Sequence, residues 1–293
     1  MARFREGEGK KKPVERRKAE KLYLDFIKSS TRFYRGYIQR LALHFKDVPE
    51  VFEIARKFSL ESMLMRAAEF EVKLTPATTA LSADPPVHVD LQLKKQIIRS
   101  CHATLVQLGD LSRYRETELQ SKERNWGPAK GYYDLATALD PTVGTSYNQL
   151  AVIALKDQDH LRALYYLHRA LSVENPAPQA RGNLELEFKK LRARQSQSKA
   201  NSAGDDRDGA NPLATQFVIF HARCFAAEAF AEDEEQQNEI LHQWADELRE
   251  RPFDTMIRKF CLINIAAEYL AAKKVTGKPR MLSWSPGLTL SRK

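Results

Sequence analysis

Residues 145–171, "TSYNQLAVIALKDQDHLRALYYLHRAL", decide the fold. Small and large apolar residues recur through this stretch at helical offsets: Tyr147, Leu150, Ala151, Ala154, Ala163, Leu167 and Ala170. Small residues let two antiparallel helices approach closely, while large ones fill the groove opposite. The pattern predicts a helical hairpin closed by a turn at Asn175 and Pro176.

The preceding residues repeat the pattern. A first helix with Leu105, Leu108 and Gly109 is followed, after eight extra residues, by a second helix. That second helix carries the closing positions Ala129, Tyr133, Ala136 and Pro141. Two consecutive units with these offsets match the tetratricopeptide consensus over about residues 102–176. Stacked units of this kind build a right-handed α-solenoid, which is the architecture we expect.

Helical periodicity also dominates outside the repeat. The chain has 293 residues, 43% hydrophobic and 29% charged, enough for one large or two ordinary domains. No segment alternates apolar and polar residues over strand length, so we predict an all-α protein. The first helix is predicted from about Pro13 to Lys46 and a second after Pro49. The first helix should place Phe26, Phe33, Tyr34, Tyr37, Ile38 and Leu41 on one side and Lys21, Lys28, Arg32 and Arg35 on the other.

Composition divides the chain further. Residues 75–88 show no hydrophobic periodicity, so they are predicted to form a loop before a helix that begins near Asp90. Residues 194–212 have almost no large apolar residue and read as a mobile linker, after a capping helix from about Pro178 to Arg194. The predicted parts are a disordered basic arm (1–13), a helical domain (14–193), the linker (194–212), a C-terminal helical hairpin region (213–274) and a disordered tail (275–293). The C-terminal region should hold three helical stretches, 213–231, 235–251 and 254–274, the middle one with an apolar stripe at Ile240, Leu241, Trp244, Ala245 and Leu248.

The excess positive charge is N-terminal. Residues 1–46 hold 14 Lys or Arg against 5 Asp or Glu, whereas the rest of the chain has 33 of each sign. Lys10 to Lys12 suit a nuclear import signal, although a solvated flexible tail explains them more simply. Three distant cysteines favour a reducing compartment, nucleus or cytosol, and no apolar run approaches membrane-spanning length, so no membrane partner is expected.

A charged cluster lies near the end of the helix that begins at Asp90. On a helical wheel, Ile97, Ile98, Cys101, Leu105 and Leu108 define the buried side. A polar stripe, interrupted by Val106, lies away from it: Lys95, Arg99, His102, Asp110, Arg113 and Tyr114. Asp110 is within reach of Arg113 and Tyr114 and could orient both.

A fixed Arg beside a Tyr hydroxyl suits a phosphoserine or phosphothreonine, because the guanidinium binds two phosphate oxygens and the hydroxyl a third. A solvated charged face is the alternative, which periodicity alone favours. Arg115 lies near the apolar edge and is expected, with Glu116, to belong to the framework.

The segment "GDLSRY" resembles the phosphate-binding "GDxxRY" helix of 14-3-3 proteins, with Arg113 and Tyr114 at the phosphate-binding positions. Longer segments resemble the Ever Shorter Telomeres One family, which includes the SMG nonsense-mediated mRNA decay factors. They are "FIKSSTRFYRGYIQRLALHF", "CHATLVQLGDLSRYRE", "GYYDLATALDPTVGTSYNQLAVIALKDQDHLRALYYLHRAL", "NLELEFKKL", "FVIFHARCFAAEAFAEDEEQQNEILHQWADELRER" and "FCLINIAAEYLA".

The resemblance implies a 14-3-3-like domain merged with tetratricopeptide helices, followed by helical hairpins. It implies an adaptor that binds a phosphorylated up-frameshift RNA helicase, or alternatively telomerase RNA or telomeric DNA, with a paralogous family member as a further partner. The expected location is the nucleus, with shuttling to the cytoplasm. By analogy Asn148 would contact a peptide backbone.

One part of the family pattern has no counterpart in the matching segments. The second basic phosphate ligand of the family comes from a helix upstream of "FYRGYIQRL", so we expect the first helices to be lacking and the phosphate pocket to be weakened. Lys10 to Lys12 are the available substitutes.

An enzyme is not expected, because no Gly-rich phosphate loop, nucleophile elbow or metal-ligand spacing is present. His102 and His168 are read as structural residues, and neither catalytic residues, cofactors nor metals are predicted. The rival binding mode is nucleic acid on Lys28, Arg32 and Arg35, with Phe33 and Tyr37 assigned to the core rather than to base stacking.

Overall fold

A computed structural model describes residues 13–68, 89–118, 124–200, 212–226 and 255–276, with isolated positions between 238 and 250. The regular secondary structure of these residues consists of α-helices, which confirms the all-α prediction. The helices are α1 (Pro13–His44), α2 (Pro49–Ala68), α3 (Leu91–Glu118), α4 (Gly127–Leu139), α5 (Gly144–Lys156), α6 (His160–Ser172), α7 (Pro178–Ala200), α8 (Pro212–Phe225) and α9 (Thr255–Thr276).

The chain forms two compact units, Met1–Ile153 and Ala154–Lys293. In the first unit, α3 packs against α1 and α4, and α2 packs against α1. The Lys94 ammonium donates to Glu50 at 2.8 Å, joining α3 to α2. The hydroxyls of Tyr37 and Ser100, 2.8 Å apart, join α1 to α3. The helices of this unit are therefore fixed by polar contacts as well as by apolar packing.

The buried face of α1 differs from the predicted one. Ile27, Ile38 and Ala42 are buried, but Phe26 and Phe33 are 61% and 64% exposed. The core role assigned to Phe33 was therefore wrong. The wheel placed the aromatic residues together, but the neighbouring helices cover a face centred about a quarter of a turn away.

Close packing of α3 on α4 confirms the role predicted for Gly109. The Tyr133 ring lies directly over Gly109, where a Cβ atom would overlap ring carbons. Tyr133, Ala129 and Ala136 are fully buried on α4. The repeat residues of the quoted stretch are buried as predicted: Tyr147, Leu150, Ala151, Ala154, Ala163, Leu167 and Ala170.

In the second unit, α6 packs against α7, α8 and α9, and α7 packs against α8. Phe217 of α8 stacks on Phe260 of α9 with ring centroids 4.1 Å apart. One turn further along both helices, His221 and Asn264 form a side-chain hydrogen bond of 2.8 Å. These contacts build the core that α6 completes with buried Leu164 and Leu167.

Several predicted boundaries shift or lie outside the described residues. Helix α7 continues to Ala200, past the predicted end at Arg194 and into the segment read as a linker. The predicted loop at 75–88, the remainder of the linker and almost all of the tail are not among the described residues. Of the stripe predicted for 235–251, only Ala245 is described, and it is helical and half-buried. Within the part of the chain that the structure describes, no helix is long and apolar enough to cross a membrane.

Candidate functional site

Helix α3 carries the candidate phosphate site near its C-terminal end. The Asp90 carboxylate accepts a hydrogen bond from the Leu93 backbone N–H at 2.7 Å and caps the helix N-terminus. The predicted buried side is confirmed at Ile97, Cys101, Leu105 and Leu108, while Ile98 is half-buried. Burial raises the pKa of the Cys101 thiol to about 12, so this cysteine is an inert core residue.

Asp110, Arg113 and Tyr133 form a compact hydrogen-bonded cluster. Arg113 Nη2 donates to Asp110 Oδ1 at 2.9 Å, and the Tyr133 hydroxyl donates to the same oxygen at 2.7 Å. Arg113 Nε also donates to the Tyr133 hydroxyl at 3.3 Å. The side chains of Arg113 and Asp110 are only 13% and 14% exposed, so the guanidinium is held in one orientation.

Two members of the cluster, Arg113 and Tyr133, each stay in one ionisation state over the physiological range. Burial acts to lower the pKa of Arg113, but the hydrogen bonds from its guanidinium to Tyr133 and Asp110 outweigh burial and raise it. Burial and the neighbouring Asp110 charge raise the pKa of the Tyr133 phenol. Arg113 is therefore cationic and Tyr133 is a neutral donor.

Tyr114 lies beside this cluster and remains 44% exposed. Its ring packs against the guanidinium of Arg113, whose Cζ is 4.5 Å from the ring centroid. Asp110 orients Arg113 as predicted, but the phenol that donates to Asp110 is that of Tyr133 rather than Tyr114. The hydrogen bonds to Tyr133 and Asp110 use Nε and Nη2 of Arg113, so Nη1 is the nitrogen left to donate to an anion.

Sequence reasoning missed two members of the cluster. Tyr133 comes from α4, and Gln149 of α5 donates a long hydrogen bond of 3.5 Å to Asp110 Oδ2. A helical wheel drawn for α3 alone contains neither Tyr133 nor Gln149, because both come from other helices. The repeat offsets did identify Gly109 and Tyr133 as packing positions of two consecutive helices, and pairing the small residue with the large one was the signal that could have found Tyr133.

The polar stripe predicted along α3 is not continuous. His102 is only 4% exposed and Val106 only 5%, so both lie in the core. Burial lowers the pKa of His102, which favours a neutral imidazole. The assignment of His102 to the exposed stripe was wrong because the wheel does not show which faces neighbouring helices cover.

Lys95 and Arg99 are exposed, as predicted. At a rise of 1.5 Å per residue they lie about 27 Å and about 21 Å from Arg113 along the axis of α3. They cannot bind the same phosphate as Arg113. Their possible contacts are with residues that flank a bound phosphate.

Arg115 and Glu116 form part of the framework. Arg115 Nη2 and Glu116 Oε1 are 3.0 Å apart. The other Glu116 oxygen accepts a hydrogen bond from the Asn125 backbone N–H at 3.0 Å. Glu116 therefore fixes the segment that leads into α4.

The remaining predicted contact residues have different environments. Asn148 is only 6% exposed, which leaves little of it for a peptide backbone. Lys28 and Arg32 are exposed on α1. Arg35 is half-buried, with its guanidinium 4.9 Å from the centre of the Phe58 ring, so it has a structural role in addition to any contact with nucleic acid. Among the described side chains, no group of three or more His, Cys, Asp or Glu is arranged to hold a metal ion.

A family model described as "Est1 DNA/RNA binding domain" matches residues 129–285, more than half of the chain, and one described as "Telomerase activating protein Est1" matches residues 2–119. The chain belongs to the Est1 family. This result confirms the resemblance found in the sequence.

Curated relatives of this Est1-family chain have names from two processes. It is 43% identical over 104 residues to "Nonsense-mediated mRNA decay factor SMG7-like" of Arabidopsis thaliana. The matched residues cover 35% of this chain and 12% of the relative. It is 26% identical over 174 residues to "Telomere elongation protein est1" of Schizosaccharomyces pombe. The matched residues cover 58% of this chain and 33% of the relative. The matched regions thus make up at most a third of these relatives' lengths.

One solved structure is also similar. It is the "Structure of the C. elegans SMG5-SMG7 complex", with a TM-score of 0.41 and 20% sequence identity, covering 78% of this chain and 60% of that chain.

Proposed function

We propose that this Est1-family chain is a non-enzymatic adaptor that binds a phosphorylated Ser/Thr-Gln peptide, the source being a phosphorylated RNA helicase of mRNA surveillance. The carrying observation is the guanidinium of Arg113, which Asp110 and Tyr133 fix in one orientation and which packs against the exposed Tyr114 ring. A pre-oriented guanidinium loses little side-chain entropy when it binds phosphate. The decay-factor names of the relatives support this choice of process.

Charge limits how strongly this site holds phosphate. Asp110 neutralises Arg113 within the cluster, and a phosphoserine brings a charge of about −1.5 to −2. Strong binding therefore requires a second cation near Arg113. Lys10 to Lys12 stay candidates for that cation, and they lie outside the described residues.

The test is binding of a labelled Ser/Thr-Gln peptide, with and without phosphate, to the chain and to Arg113→Glu. We expect binding only with phosphate and its loss in the variant. Arg40→Glu is the matched control, because it makes the same charge change on an exposed residue of another helix of the same unit, outside the predicted peptide site. Equal binding of both peptides, or equal loss in both variants, contradicts the proposal.

Because Glu at position 113 would face Asp110, the variant could fail to fold. Tyr114→Phe avoids that problem, since it removes only an exposed hydroxyl and keeps the ring against Arg113. A hydrogen bond to a charged group contributes about 1.5 to 3 kcal/mol, so phosphopeptide affinity should fall about tenfold or more. Unchanged affinity would show that Tyr114 does not touch the phosphate.

A second candidate function is binding of nucleic acid, with telomerase RNA or telomeric DNA as the ligand. The family model that covers residues 129–285 favours it, as does the similarity to a telomere elongation protein. A paralogous family member as partner and a nuclear, shuttling location stay predictions from the resemblance.

A further inference from the structure

We propose that the exposed face of α7, centred on Lys189, Lys190 and Arg194, is the surface that contacts the phosphate backbone of a nucleic acid. The inference rests on the second candidate function and locates it on the molecule. The nucleic-acid candidates predicted from sequence, Lys28 and Arg32, lie on α1 and outside residues 129–285. Helix α7 lies inside that range.

Helix α7 separates into an apolar face and a cationic face. Ala180, Leu184, Phe188 and Leu191 are buried at helical spacing and pack the helix into its unit. Away from that face the helix exposes Lys189 and Lys190, together with Glu185 and Leu186. Exposed Arg194 lies one turn after Lys190, towards the side that contacts His160. The balance of these exposed charges is therefore positive.

The acid that would neutralise this face points inward. Glu187 is only 5% exposed and its carboxylate binds His160 Nδ1 at 2.5 Å. Arg194 Nη1 lies 3.4 Å from His160 Nε2. An Arg can only donate, so Nε2 is the acceptor in that contact, and Nδ1 contacts Glu187. The Glu187 charge is thus bound on the buried side of α7.

The three central cations are available to a ligand. Lys189 and Lys190 form no ion pair with any described side chain, and the contact of Arg194 with His160 uses one guanidinium nitrogen. Lys190 and Arg194 are one helical turn apart and so lie side by side on the surface. Exposed cations without internal partners release counterions when they meet phosphates, which is the main source of affinity for nucleic acid backbones.

The test uses the full chain and a labelled single-stranded RNA of mixed sequence, together with the DNA of the same sequence. Lys189→Glu with Lys190→Glu should lower affinity about tenfold or more and reduce the slope of log affinity against log salt by about 1.4, for two lost contacts. The matched control is Lys28→Glu with Arg32→Glu, which makes the same charge change on exposed residues of α1. Circular dichroism checks that both variants remain helical.

Each outcome decides a separate question. Loss in the α7 variant with near-normal binding in the α1 variant supports the proposal. If RNA affinity falls in the α1 variant alone, or equally in both variants, the α7 proposal is overturned. The nucleic-acid function itself is unaffected by that result. No binding by the unaltered chain refutes the nucleic-acid function and this inference together. If polyglutamate displaces the labelled RNA as effectively as unlabelled RNA does, the proposal is also overturned, because the surface would then bind any polyanion.

Discussion

Gly109 sets how closely α3 approaches α4, and therefore where Tyr133 reaches Asp110. A methyl group at this position would overlap the Tyr133 ring, which is fully buried and has no space to retreat. We expect Gly109→Ala to destabilise the protein by about 1 to 3 kcal/mol through overpacking, more than the gain in helix propensity of up to about 1 kcal/mol. Urea denaturation measures this difference.

Gly131 is the control, because a Cβ atom there would meet nothing within 4 Å and the residue lies inside α4. Gly131→Ala should stabilise the protein by about 0.5 to 1 kcal/mol. If both substitutions stabilise the chain, α3 and α4 do not make this close contact at Gly109.

The Tyr133 hydroxyl joins the two charged members of the site. Tyr133→Phe removes the donor to Asp110 and the acceptor from Arg113 without changing the volume of the ring. The loss in the free energy of unfolding should be about 1 to 3 kcal/mol, since a buried carboxylate loses a partner. Tyr114→Phe, by comparison, should leave stability unchanged, because that hydroxyl is on the surface. Equal effects of the two substitutions on stability would contradict this division of roles.

At the scale of the helices, the sequence was most informative where a residue's environment depends on its own helix. The spacing of Ile97, Cys101, Leu105 and Leu108 predicted the buried side of α3, and the repeat offsets predicted the α3 and α4 packing. Exposure of Phe33 and burial of His102 depend on which neighbouring helix covers each face. A single-helix pattern does not contain that information. The same reason explains why Arg113 was identified and its partner Tyr133 was not.

The packing of α6, α8 and α9 makes the second unit sensitive to acid. Burial lowers the pKa of His168 to about 4 and also lowers that of His221, whose ring centroid is 6.2 Å away. Both imidazoles are neutral in the fold, with His168 Nδ1 2.9 Å from the Leu164 carbonyl oxygen. Below its ordinary pKa of 6.5 the unfolded His168 binds a proton that the folded one does not. Stability should therefore fall as pH decreases from about 6.5 towards 4, by up to about 3 kcal/mol from His168.

Urea denaturation at several pH values measures this loss. His168→Asn keeps a donor in a similar place and removes the titrating group, so its stability should depend less on pH than that of the unaltered chain. The same slope in both proteins would show that His168 contributes nothing to the acid sensitivity.

At the scale of the whole molecule, the two proposed binding surfaces belong to different compact units. Arg113 and Tyr114 lie in Met1–Ile153, whereas the α7 surface lies in Ala154–Lys293. The formal charge of +9 comes entirely from residues 1–46, so charge counts alone would direct nucleic acid to the first unit. The α7 surface arises instead because folding buries Glu187 and leaves Lys189 and Lys190 exposed. A balanced count of charges along a segment therefore does not exclude a charged surface.

Because the two surfaces share no residue, one chain should hold a phosphopeptide and a nucleic acid at the same time. We expect the affinity for labelled single-stranded RNA to change less than about twofold when the phosphorylated Ser/Thr-Gln peptide is present at saturation, since a ligand shifts binding elsewhere only through coupling between the sites. Fluorescence anisotropy of the RNA, repeated with the unphosphorylated peptide as control, measures this. Displacement of the RNA by the phosphorylated peptide alone would mean that both ligands compete for Arg113, and an adaptor that connects two ligands would then be the wrong description of this chain.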